Sequence, residues 1–304
     1  VLFGNPERIS PALSPDGTQL GFIAPDDGVL NVWVGPADDP SAAKPVTHDR
    51  GRGIRTFAFC HDDRTLGYQQ DTDGDEDWRL YRLDLGTGES QLVTPGDGVQ
   101  AMVLAHNRWH PTTVLIGLNA DNPMLHDVYR LDLETGAFDK IETNPGYAAW
   151  LIDSDLAVRG GVAMTPEGGA VVHLRDLSTG HDQPWLDIPP EDLVTTGVHG
   201  FSRDGSTAFV LSSVEVNAAR LLRVELATGA ETVLAEESQH DVAFVLSDPD
   251  TLEPQSVVFL AEREQWVHLD YSVGTEVDEL RAGLSGEIGI SRSERTDRRW
   301  LVAD

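Results

Sequence analysis

Cysteine is nearly absent. A single thiol, Cys60, cannot make an internal disulfide, which fits a reducing compartment or a fold that needs no covalent staples, and sets a cytoplasmic location as the expectation. Basic residues are scarce as well: 22 Lys and Arg stand against 51 Asp and Glu, for a net charge of -29. Such a surface repels phosphate backbones and anionic lipid, so neither nucleic acid nor membrane is an expected partner. The acidic residues are spread along the chain and serve solubility before any attraction of cationic substrates. No apolar run approaches the roughly 18 residues that a membrane helix requires. Catalytic motifs are missing too. Neither residues 200–204 nor residues 283–287 complete a Gly-x-Ser-x-Gly nucleophile elbow, and there is no phosphate-binding glycine loop or zinc-type Cys/His cluster. His106 and His110 lie four apart, but Trp109 and Pro111 disfavour the helix that would bring them together, and a third ligand is lacking. No catalytic residue, cofactor or metal is therefore assigned.

What the chain does have is repetition. Residues 80–88 (LYRLDLGTG) return as residues 128–136 (VYRLDLETG), with weaker copies over 174–180, 223–229 and 268–274. The turn glycines Gly88, Gly136, Gly180, Gly229 and Gly274 recur every 44 to 49 residues. A period of that size, built of short strands, is the signature of a β-propeller with one four-stranded blade per repeat. Each unit opens on an apolar run and a tight turn, as in residues 13–17 (LSPDG) and 201–205 (FSRDG), where proline or glycine suits the turn geometry. The third strand of each unit alternates, with Tyr81, Leu83 and Leu85 on one face and Arg82 and Asp84 on the other.

The expected fold is all-β, a seven-bladed propeller forming a single domain over residues 1–304. Its blades fall near 6–51, 52–97, 98–144, 145–192, 193–240, 241–284 and a partial 285–304. The first unit has Asp39 where the turn glycine belongs, and the third has Trp109-His110-Pro111-Thr112 in place of an aspartate-glycine turn. The sixth exchanges its outer strand for a helix-like stretch around residues 276–281. The chain starts on Val1 and stops in mid-blade, so both ends are expected to be cut.

Two clusters carry potential chemistry. Residues 71–77 (DTDGDED) space carboxylates as calcium loops do, but the glycine comes too early and position 82 is Arg where a bidentate glutamate belongs. Their place in the repeat is the hairpin loop between second and third strands, where a solvated loop is the favoured reading and recognition of a substrate amine by the cluster the lesser one. Arg50, Arg52 and Arg55 put three guanidiniums within six residues of an acidic chain. Register sets Arg55 at the start of an innermost strand, where it and Arg52 are candidates for holding a carboxylate by two parallel hydrogen bonds. Pairing with carboxylates of neighbouring blades is the competing and favoured role for these arginines. Cys60 ends a strand at the position of Leu13 in the first repeat, a core position.

With the repeats aligned, the chain resembles the propeller of the prolyl-oligopeptidase family of serine peptidases, in particular bacterial acylaminoacyl-peptidase and dipeptidyl-aminopeptidase types. The likeness rests on residues 8–17 (RISPALSPDG), 31–34 (NVWV), 73–78 (DGDEDW) with 80–82, 126–130 (HDVYR), 291–293 and 297–302. It implies a propeller that caps a following α/β-hydrolase domain holding the Ser-Asp-His triad and restricts access to short peptides. It also implies that an acidic pair, here nearest Asp75 and Glu76, holds the free amino terminus of the substrate. On that resemblance the chain alone is inactive, its partners are short peptides and the hydrolase domain, and an oligomer is possible. The alternative is a stand-alone binding propeller of the Tol-type periplasmic kind. A third reading, a propeller hydrolase such as a metal-dependent lactonase, needs carboxylate and amide ligands converging on a central channel.

Overall fold

Nearly every alternating segment is a strand, and within each sheet every strand pairs with the next along the chain. The computed structural model describes residues 7–96, 98–284, 286–293, 295, 297 and 299–303. The chain divides into two compact units, residues 1–145 with 290–302 and residues 146–289 with 303–304. The first holds three four-stranded antiparallel sheets. They are β1 (Ile9–Leu13), β2 (Gln19–Asp26), β3 (Val29–Pro36) and β4 (Lys44–Pro45); β5 (Thr56–Phe59), β6 (Thr65–Gln70), β7 (Arg79–Asp84) and β8 (Ser90–Leu92); and β9 (Ala101–His106), β10 (Thr113–Asn122), β11 (Leu125–Asp132) and β12 (Phe138–Glu142). The second unit has two more four-stranded sheets, β13 (Ala149–Ile152) to β16 (Asp182–Ile188) and β17 (Gly197–Phe201) to β20 (Ala230–Ala235). It also has a three-stranded sheet of β21 (Val242–Ser247), β22 (Pro254–Leu260) and β23 (Glu264–His268). A last two-stranded sheet pairs β24 (Gly289–Arg292) with β25 (Trp300–Ala303). Successive up-and-down sheets in chain order are the blades of a β-propeller, so the all-β propeller expectation holds. Among the described residues there are seven sheets, the last of two strands.

In several sheets the second strand is the most apolar and the most buried. In β10, Val114, Leu115, Ile116 and Leu118 are all at most 5% exposed, and in β22 Val257, Val258 and Phe259 are at most 2%. A strand covered on both faces reads as a continuous apolar run, which is why these segments do not alternate. The third strands do alternate, because one face meets a neighbouring sheet and the other is wet. Between third and fourth strands, Gly88, Gly136, Gly180 and Gly229 all have φ between +69° and +75°. In each, the glycine N–H donates to the carbonyl four residues back, at 2.7 to 2.8 Å. A side chain at that φ would be strained, so the recurring glycine has a backbone cause.

Gly274 is the exception and corrects the repeat. It lies inside α1 (Tyr271–Gly283), a helix longer than the stretch expected around residues 276–281. It is buried, and a Cβ there would stand 2.6 Å from the His268 ring, so this glycine serves close helix packing rather than a turn. Asp270 caps the helix through Ser272 N, and Arg281 near its end donates to the Glu264 carbonyl of β23. The helix thus lies along β23 where other sheets place a fourth strand, which covers an otherwise open edge. Within the first unit, Arg295 N donates to Pro15 O at 3.0 Å and its guanidinium pairs with Asp63, joining the segment after β24 to the first sheet's turn.

Candidate substrate-binding loop

Three of the four residues singled out above meet at one loop, residues 71–78, which joins β6 to β7. The loop is built on a buried amide. Asn31 of β3 is 0% exposed; its Oδ1 accepts from Asp49 N (2.7 Å) and Thr47 Oγ1 (2.9 Å), and its Nδ2 donates to Asp49 O (3.1 Å). The Asp49 carboxylate in turn accepts from Gly51 N, Gly53 N and Gln70 Nε2, the last at 2.7 Å. This chain of contacts sets residues 49–53 of one sheet's end against the end of β6 in the next.

Asp75 lies inside the loop's own bracing. One oxygen accepts from Thr72 N and Asp77 N, and the other pairs with Arg79 Nη2 at 2.9 Å. Arg79 is 6% exposed and also donates to the Asp77 carbonyl at 2.9 Å. The guanidinium of Arg79 beside it holds the Asp75 carboxyl below its ordinary range, with the two backbone donors adding to the effect. Glu76 differs. Its backbone stands at φ +58°, its carbonyl accepts from Gln100 Nε2 (2.9 Å) and Trp78 N (2.9 Å), and its side chain is exposed. A non-glycine residue at that φ is uncommon and is held by these contacts on either side.

Arg52 lies over Gly74 with its Nε 3.7 Å from Asp71 Oδ1. A Cβ on Gly74 would come within 2.0 Å of the Arg52 Nη1, so glycine is needed both for its φ of +84° and for the guanidinium above it. The Asp71 side chain is 3% exposed, and its Oδ2 is buried with no hydrogen-bond partner among the described residues. A buried carboxylate oxygen left unpaired is costly and has capacity for a cationic or N–H donor. Arg55 precedes β5, is exposed, and has no ion pair or hydrogen bond among the described residues. Arg50, by contrast, is paired with Asp26 at 3.0 Å, and that guanidinium holds the Asp26 carboxyl low, with His48 adding to it.

A cleft of about 280 Å³ opens beside the loop, lined by Thr56, Gln69, Trp78, Gln100, Met102 and His126 among others. The arrangement gives one free carboxylate, Glu76, one half-satisfied buried carboxylate, Asp71, and two exposed guanidiniums, Arg52 and Arg55, in the same part of the first unit. Asp71, Asp49 and Trp78 were not singled out from the sequence. The density of carboxylates pointed to the loop, but burial of Asp71 depends on packing that no spacing reveals. Among the described residues no group of three or more His, Cys, Asp or Glu side chains is arranged to hold a metal. No helix among them is long and apolar enough to cross a membrane.

No protein-family model matches the chain. It is similar over all 304 of its residues, at 37% identity, to dipeptidyl aminopeptidase BIII of Pseudoxanthomonas mexicana, and spans 44% of that protein's length. It is similar over 181 residues, at 29% identity, to dipeptidyl peptidase family member 6 of Caenorhabditis elegans, of which it spans 24%. Among solved structures, the acylaminoacyl peptidase of Pyrococcus horikoshii matches 95% of the chain with a TM-score of 0.53 at 16% identity, the match covering 48% of that structure. The chain thus spans less than half the length of these relatives.

Proposed function

Since the chain belongs to the prolyl-oligopeptidase family as a β-propeller region, we propose that it is the substrate-selecting part of a dipeptidyl-aminopeptidase-type serine peptidase. The observation that carries this reading is the 37% identity to a dipeptidyl aminopeptidase over the whole chain. Catalysis belongs to an α/β-hydrolase domain, since this chain carries no nucleophile elbow. The propeller's share is selection: short peptides reach the catalytic residues and folded proteins do not. The loop at residues 71–78 supports a second step. Glu76 offers an exposed carboxylate to the ammonium of a peptide's amino terminus, and Asp71 offers a buried oxygen that lacks a donor. Asp75 is not part of this reception, because Arg79 and two backbone amides already occupy it. In this reading the exposed guanidiniums of Arg52 and Arg55 meet substrate carbonyl or carboxylate groups.

The purified chain should release no chromophore from dipeptidyl p-nitroanilides. The parent reading frame should encode a Gly-x-Ser-x-Gly hydrolase domain, and the protein it encodes should cleave those substrates. In that protein Glu76→Gln should raise KM about two- to fivefold with little change in kcat, the signature of lost ground-state binding by one exposed ion pair. Turnover by the chain alone, or a parent frame with no hydrolase domain, would refute the assignment. An unchanged KM would remove the loop from substrate binding.

A further inference from the structure

The repeats supply their own template for a ligand site. In the first sheet Gly21 pairs with Ala12, and the two small residues leave a hollow on one face. The second sheet fills it: Phe57 Cε2 would stand 2.7 Å from a Cβ on Gly21, and Phe59 Cε2 3.0 Å. The two rings meet edge to face, 6.1 Å apart. In the second sheet Gly67 pairs with Ala58, which repeats the hollow. Phe57 and Phe59 pair with Tyr68 and Leu66, whereas their counterparts in the third sheet, paired with Leu118 and Ile116, are Ala101 and Val103. No ring comes across at those two positions, although the His106 ring, farther along β9, packs against His61 at 5.2 Å. A Cβ on Gly67 would find its nearest atoms only at 4.0 Å. Phe59 is 7% exposed, whereas Val103 at the same register is 41% exposed.

The outcome is a cavity of about 290 Å³ with walls that include Ala58, Cys60, Gly67, Val103, Val114 and Leu131. Apolar cavities of about 150 Å³ stay dry and accept benzene, so this one has room for a single substituted ring. Small residues facing small residues lose dispersion contacts that a flat apolar guest restores. The neighbouring hollow shows which shape fits: the chain's own phenyl ring.

We propose that the cavity between the second and third sheets binds one benzene-sized aromatic ring, seated over Gly67 as Phe57 is seated over Gly21. The ring comes either from a free small molecule or from a phenylalanine side chain of a peptide. The inference is independent of the peptidase reading, since it rests on strand register and packing alone. Cys60 on the cavity wall provides a reporter. It is buried, and burial pushes its thiol up to about 12, so alkylation by iodoacetamide requires the reagent to enter or the sheets to part.

The test uses toluene and N-acetyl-phenylalaninamide against the purified protein, read by ligand-observed NMR and by the rate of Cys60 alkylation. Toluene should show saturation transfer and slow alkylation by at least tenfold at saturation. If the amide binds as well, the ring's source is a peptide side chain; if toluene alone binds, it is a free molecule. Val103→Phe restores an aromatic at the register of Phe59 and should abolish binding, and Gly67→Val, a smaller filling of the same space, should weaken it at least tenfold. Circular dichroism identifies a variant that has failed to fold, and the second variant then carries the test. No saturation transfer with either ligand would overturn the proposal, as would undiminished binding in a folded Val103→Phe or Gly67→Val protein.

Discussion

Asn31→Ala tests whether the candidate loop hangs on one buried amide. The Asn31 side chain is fully buried and makes four hydrogen bonds, to Val29 O, Asp49 O, Thr47 Oγ1 and Asp49 N, at 2.7 to 3.2 Å. Truncation removes all four and leaves the Thr47 hydroxyl, itself 6% exposed, with only its bond to Val32 N. Each net bond is worth about 1 kcal/mol and each buried group left unpaired costs about 1–3, while water reaches the part-buried Asp49 backbone, so the sum is about 3 kcal/mol. Because the chain forms two compact units, a single unfolding free energy is poorly defined, and local opening is the better measure. Hydrogen exchange in peptides covering residues 45–55 should accelerate roughly a hundredfold, which is that free energy expressed as an opening constant. Exchange over residues 146–289 should stay as it was. Asn31→Asp, which keeps an oxygen acceptor but loses the amide donor, should fall short of wild type as well. Less than threefold acceleration at 45–55, or equal acceleration in both units, would refute the reasoning.

The other predictions concern glycine, charge and pH. Gly21→Ala should destabilise the first unit, because its Cβ would overlap Phe57, whereas Gly67→Ala should be neutral or stabilising; thermal melts of the pair give the comparison, and equal losses would refute the cavity. Gly74→Ala combines a φ of +84° with an overlap on Arg52 Nη1, so it should cost about 1–2 kcal/mol of local stability, read as roughly five- to thirtyfold faster hydrogen exchange over residues 71–78; no measurable acceleration would show that the loop adopts another backbone conformation. His61 is 5% exposed, and burial, with His106 and Arg108 nearby, lowers its pKa to about 4. The unfolded chain therefore binds more protons than the folded one between about pH 6.5 and 4. Stability is greatest above that window and falls as pH drops through it. The thermal midpoint should decline from pH 7 to 4.5, and His61→Asn should flatten the decline. An equally steep profile in that variant would remove His61 as a cause.

Much of the fold was legible in the chain because its causes are local. Alternating strands follow from one wet face and one packed face, and the turn glycines at 88, 136, 180 and 229 follow from a left-handed backbone that other residues resist. Where a local cause was misread, the repeat failed: Gly274 matched the spacing but serves helix packing against His268. The candidate site was legible only in part. Carboxylate density marked residues 71–77, yet it could not separate Asp75, locked to Arg79, from Glu76, which is exposed, or reveal that Asp71 is buried.

By itself, then, the sequence determined the strand and turn grammar, the succession of sheets and the acidic surface, all of which depend on neighbours within a few residues or on composition. Only tertiary structure decided which carboxylates keep a free oxygen, and where a hollow is filled by Phe57 or left open opposite Val103. Those outcomes depend on residues 36 positions apart along the chain, Gly21 with Phe57 and Gly67 with Val103, meeting across two sheets, with strand register placing them there. Spacing along a chain carries no record of such a meeting, because one missing ring in one repeat leaves the alternation of that strand unchanged.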